Sequence, residues 1–185
     1  MRFRPARLAQ VGAVVFALST VVSGQDTGRP YPSHVRGTTA DSALLLQELV
    51  ARSATGRDLI DHLEQSDLLI YVRFEFFTTT TLRGRIGLIA ANGPRRVLAI
   101  EIDSRHTRTD QLVALGHELR HAVEIAGAPS VSDPASLAAL YTAIGEQTGF
   151  SSGYETYETI AAADAGRRVR VELSSATADA AGPRD

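Results

Sequence analysis

The sequence predicts an α+β domain in which a small antiparallel sheet packs with one long central helix and further helices. Three observations predict it. Runs rich in β-branched and aromatic residues are confined to residues 68–103, and segments with apolar residues at helical spacing flank that region on both sides. Strands followed by helices, without strict alternation, argue against a doubly wound layout. The composition, 44% apolar and 22% charged over 185 residues, is that of an ordinary globular domain.

The elements follow in order. Residues 25–40 combine Gly, Pro, Thr and Ser without apolar periodicity and read as a linker. Asp41 is a candidate cap for a first helix in which Leu44, Leu45, Leu49 and Val50 recur at helical spacing, and a short second helix is expected over 56–65. Strands are expected over 68–77, 84–91 and 95–103; the last alternates Val97, Ala99 and Glu101 against Leu98, Ile100 and Ile102. Asn92-Gly93-Pro94 joins the last two as a hairpin. Thr109-Asp110 opens a helix to about residue 126, Ser132-Asp133-Pro134 another to about 148, and a third runs from about 154 to 173. The domain therefore spans 41–173, followed by a flexible tail, 174–185, rich in Ala, Ser and Gly.

Residues 1–24 are built differently. Arg2, Arg4 and Arg7 precede the uncharged stretch 11–22, and Ser23-Gly24 supplies small residues before Gln25, the pattern of a signal peptide whose apolar segment is too short to span a bilayer. A secreted or periplasmic protein, without stable membrane insertion once the signal is removed, is the expectation. Every basic residue is Arg, which excludes lysine Schiff bases, and the absence of cysteine excludes thiol nucleophiles, disulfides and thiolate metal sites. Loss of three arginines from 19 leaves 16 basic against 21 acidic residues, a balance that argues against a nucleic-acid partner.

The chemistry concentrates in Gly116-His117-Glu118-Leu119-Arg120-His121, within the helix expected from Thr109. Four residues apart on a helix, His117 and His121 share a face one turn apart and reach a single Zn²⁺. Glu118, one residue past the first histidine, reaches a water beside the metal, and a carboxylate is the base that such a water needs. Leu112, Leu115, Leu119, Ala122 and Ala126 form an apolar stripe roughly opposite the histidines. Catalytic zinc takes three protein ligands, so a third His, Asp or Glu comes from elsewhere. The candidates are His106, Glu124 (three residues past His121 and pointing partly away), Asp133, Glu146, Glu155 and Glu158.

The His-Glu-Leu-Arg-His core resembles that of the zincin metallopeptidases, in particular those whose His₂Glu site is completed by a downstream glutamate, as in thermolysin-like enzymes. The segment 158–169, beginning Glu158-Thr159-Ile160-Ala161-Ala162, is similar to the Glu-Thr-x-Ala stretch of small secreted bacterial zincin-like proteins. This resemblance implies a zincin-like fold, Glu158 as third zinc ligand on a downstream helix, and small Ala161 and Ala162 facing the motif helix. Ala162 occupies the place of an acidic residue four positions past the ligand, so no partner that orients a histidine is named by the sequence.

The expectation is a zinc metallopeptidase acting on peptide or protein substrates, with Glu118 as base and a strand of the hairpin as docking edge. The other reading is a secreted zinc-binding module whose site is structural or non-catalytic; a fourth protein ligand such as His106 would favour it. Tyr154 and Tyr157 are candidate oxyanion donors, although packing is the commoner role. Arg167, Arg168 and Arg170 fit the last turns of a helix by its dipole alone. Arg120, His34 and His62 read as surface residues.

Overall fold

The computed structural model describes residues 33–78, 82–91, 93–151 and 154–180. The segment 1–24 read as a signal peptide, the segment read as a linker as far as residue 32, and residues 181–185 of the expected tail lie outside the described residues. The unit that begins at Ser33 contains every element among the described residues. In chain order these are β1 (Val35–Gly37), α1 (Ala40–Arg52), α2 (Ala54–Leu63), β2 (Leu68–Glu75), β3 (Gly84–Ala90), β4 (Arg96–Asp103), α3 (Arg108–Ala126), α4 (Pro134–Ile144), β5 (Glu146–Ser151), β6 (Tyr154–Glu158) and α5 (Ile160–Ala180).

The α+β class is as expected; the strand directions are not. A four-stranded sheet runs β1-β2-β4-β3, with β1, β2 and β4 parallel and only β3 antiparallel, so the sheet is mixed where the sequence predicted an antiparallel one. β2 and β4 are parallel to each other, and the further parallel strand is β1, which lies inside the segment read as linker. Together with α1 and α2 it forms a βααβ crossover, and parallel neighbours require such a crossover. β3 and β4 form the expected hairpin, and Gly93 in its turn adopts φ 134°, a region that L side chains rarely enter. The central strand β4 is buried on both faces over most of its length, as an inner strand must be.

The helices start at caps that satisfy their free N–H groups. Thr39 caps α1 in a reciprocal box with Ser42, leaving Asp41 in the first turn instead of at the cap. Leu45, Leu46 and Leu49 are its buried face, whereas Leu44 and Val50 are exposed. Thr107 caps α3, and Asp133, with Pro134 behind it, caps α4. The core lies between sheet and helices: Ile70 and Val72 of β2 and Leu98, Ile100 and Ile102 of β4 meet Leu45 and Leu49 of α1 and Leu112, Leu115 and Leu119 of α3, all fully buried. Burial of that kind contributes about 1.5–3 kcal/mol per side chain.

Two devices fix α3. At its C-terminus the buried Arg96 of β4 grips Asp67 through Nε and Nη2, both at 2.7 Å, and donates through Nη1 to the carbonyls of Ile125 (2.9 Å) and Ala128 (2.8 Å). On its flank α5 packs closely, because Gly116 presents no side chain: a Cβ there would stand 2.6 Å from Val169 Cγ2. Ala162, Ala165, Val169 and Leu173 form the buried stripe of α5.

The greatest departure lies between α4 and α5. The helix expected from Ser132-Asp133-Pro134, read to about residue 148, ends at Ile144, and the last one, read from about residue 154, starts at Ile160. Between them β5 and β6 pair as a separate antiparallel hairpin. α5 then continues to Ala180, beyond residue 173 where the tail was expected to begin. Arg167, Arg168 and Arg170 therefore occupy its middle, which removes the helix-end explanation for them.

Candidate metal centre

The centre is assembled from α3 and from the junction of β6 with α5. Helical geometry sets His117 and His121 on one face of α3, with ring centroids 4.9 Å apart and planes at 77°. Glu158, the last residue of β6, brings its carboxylate to the same place, its Oε1 lying 3.5 Å from His117 Nε2. One ligand atom from each of the three residues lies within 4.8 Å of the others, and among the described residues this is the group that could hold a metal ion. Ligands at 2.0–2.1 Å in a tetrahedral set stand about 3.4 Å apart, so the Glu158–His117 pair has the spacing such a set requires. Glu158 sits at a strand end, not on the downstream helix that the resemblance implied.

The charges agree with a cation between these residues. Burial pushes His117 down to about 4, aided by His121 and opposed by Glu124, which keeps its imidazole neutral with a lone pair to offer. Burial opposes the charge on His121, but its hydrogen bond to Glu124 and the carboxylates of Glu118, Glu124 and Glu158 outweigh it and raise its pKa. Burial also raises Glu158, against His121 and the Thr159 N–H, with Glu124 adding to the rise. Three carboxylates thus crowd two imidazoles. That donor set fits a divalent ion of the zinc type.

Glu118 is almost fully buried, and burial pushes it up to about 7, opposed by His121 and helped by Glu158. Its carboxylate rests against the first residue of β3: a Cβ on Gly84 would lie 2.9 Å from Glu118 Oε1 and 3.0 Å from its Cγ. Glycine at that strand position is what gives the carboxyl its place.

The surroundings of His121 complete the centre. Its Nδ1–H donates to Glu124 Oε2 at 2.9 Å, since an ionised carboxylate only accepts. Glu124 was expected to point partly away from the histidines; at three residues' spacing on a helix it shares their side instead. The Thr159 hydroxyl donates to Glu124 Oε1 at 2.8 Å and accepts from Ala162 N at 3.1 Å, while Thr159 N donates to Glu158 Oε1 at 2.9 Å. Tyr141 of α4 stands edge-on to the His121 ring and donates to the His121 carbonyl at 3.2 Å.

The side chains of Tyr154 and Glu155 lie outside the described residues, and the other candidates lie elsewhere. His106 sits before α3 with Nε2 3.6 Å from Asp103, Asp133 caps α4, and Glu146 is exposed at the start of β5. Tyr157 stacks on Tyr141, and its hydroxyl accepts from Thr142 at 3.3 Å. Arg120 stands 3.8 Å from Glu124, Arg170 pairs with Asp110 at 2.9 Å, and Arg167 pairs with Asp164. His62 is exposed, and His34 Nδ1 lies 3.3 Å from the Leu63 carbonyl.

Sequence reasoning missed Thr159, Tyr141 and Gly84. Only Thr159 carried a signal, a hydroxyl three residues before a helical amide, which is the mark of a helix cap. No known family model, curated protein or solved structure matches the chain.

Proposed function

We propose that the protein is a zinc-dependent hydrolase of the zincin kind, most plainly a peptidase acting outside the cytoplasm, in keeping with the signal-type segment 1–24. The observation that carries the reading is the meeting of His117, His121 and Glu158 within 4.8 Å, with the buried Glu118 beside them. The cluster has three protein ligands and His106 turns to Asp103, which favours a catalytic donor set over a closed structural one.

His117, His121 and Glu158 would hold the ion. When bound, zinc supplies Lewis acidity, polarising an amide carbonyl and making water a better nucleophile near neutral pH. Glu118, poised near 7, takes a proton from the attacking water as the C–O bond forms and delivers it to the amine nitrogen as the C–N bond breaks. Among the described residues the outer edge of β3 has no strand partner, and its first residue touches Glu118. An extended peptide added along that edge has its backbone fixed beside the base.

The test uses the mature chain, with zinc stoichiometry and cleavage of a mixed quenched-peptide library as readouts. Glu118→Gln is expected to keep the zinc and lose cleavage by orders of magnitude, whereas His117→Ala loses both. A parent chain that binds zinc without any cleavage would leave a zinc-binding module, and a parent that binds none would end the reading.

A further inference from the structure

Zinc-type sites depend on groups that hold the ligands in place, and the place in which the enzymes that the motif resembles have an acidic residue is Ala162 here. The hydrogen bonds around Thr159 supply another arrangement. Its hydroxyl has one proton to give and gives it to Glu124 Oε1; its lone pair takes the Ala162 N–H that would otherwise be free at the start of α5. The same residue's backbone N–H holds Glu158 Oε1. Glu124, whose other oxygen accepts from His121 Nδ1–H, is thus gripped from both sides. Thr159 is 4% exposed and the side chain of Glu124 7%, so neither bond competes with bulk water.

We infer that Thr159 and Glu124 form a brace that positions two of the three metal ligands at once: Glu124 fixes the tautomer and ring angle of His121, leaving Nε2 to the ion, and Thr159 locks Glu124 to the residue that follows Glu158. The brace spans 35 residues of sequence and joins α3 to the β6–α5 junction through one hydroxyl. It rests on the metal reading above. Both are positioning residues, acting on the ion only through the ligands.

The experiment is a double-mutant cycle on zinc affinity, measured by chelator competition on the full mature chain, with melting of the metal-free protein as a folding control. Thr159→Val is expected to weaken zinc binding by about 10-fold and Glu124→Ala by about 10–100-fold, the range for outer-shell partners of zinc ligands. In the Glu124→Ala background Thr159→Val adds no further loss, because its route to His121 is already cut, and Thr159→Ser restores parental affinity. Equal losses in both backgrounds would overturn the brace, since a residue that only caps α5 acts independently of Glu124. An unchanged affinity in Thr159→Val would overturn it as well. A parent that binds no zinc removes the metal reading and the brace together, an outcome distinct from either. Should Thr159→Val not fold, ¹⁵N NMR of the zinc-loaded parent decides: Nδ1 protonated and Nε2 bound to metal in His121 is expected, and metal at Nδ1 overturns the inference.

Discussion

The chemistry of single residues here follows from where their side chains are buried. Glu118 is raised from the ordinary 4.5 to about 7 mainly because its carboxyl has left water. A folded pKa above the unfolded one means that stability is fully present below pH 4.5 and lost as pH rises through 7. In the metal-free protein Glu118→Gln should therefore melt close to the parent at pH 4.5 and above it at pH 8; equal melting at both would show that the carboxyl is solvated. Gly84 supplies the complementary test. In Gly84→Ala the new methyl meets the flexible end of Glu118, which moves instead of the backbone. Zinc content and melting should stay near parental while cleavage falls by about 100-fold, the cost of misplacing a reacting group by about 1 Å.

At the scale of elements, the centre depends on how closely α5 lies on α3. Gly116, directly before the first histidine, permits that approach, and β-branched Val169 is too stiff to yield to a methyl placed 2.6 Å away. Gly116→Ala should destabilise the protein by about 1–3 kcal/mol, as overpacking does, with Val169→Ala in the same chain recovering part of the loss. Denaturant unfolding of the two variants checks this, and additive losses would deny the contact. The β5–β6 hairpin is the other element of consequence, since it ends in Glu158. Its residues include helix formers, Glu146, Gln147, Glu155 and Glu158, yet pairing of Glu146 with Glu158 and Gln147 with Tyr157 overrides that preference. Ser151-Ser152-Gly153 lies in the gap between the two expected helices and is equally a turn signal between two strands.

For the whole molecule, the ligand set ties α3 to a junction 37 residues beyond His121, so an ion held there bridges parts of the chain that unfolding separates. Zinc at 100 times its Kd should add about 2.7 kcal/mol, which for a domain of this size is a rise in Tm of about 5–10 °C. Melting with zinc and after chelation reads this directly. An unchanged Tm at saturating zinc would mean that the three residues do not hold it together.

What the sequence by itself determined is what depends on neighbours along the chain. The face shared by His117 and His121, Glu118 beside them, the cap before α4, the β3–β4 hairpin and most of the α3 stripe follow from helical spacing and turn chemistry within a few residues, whereas α3 opens at Thr107 instead of Thr109-Asp110. Tertiary structure alone decided the rest. The parallel pairing of β2 with β4 joins segments separated by β3, and β1 is a three-residue strand whose partner lies beyond two helices; no local pattern marks either. The place of Glu158 depends on a hairpin stabilised by cross-strand pairs, and the engagement of Glu124 depends on a hydroxyl 35 residues away. Spacing along a helix is set by the backbone of one segment, whereas strand pairing and hydrogen bonds between segments are chosen by whichever partners the packed core brings within reach.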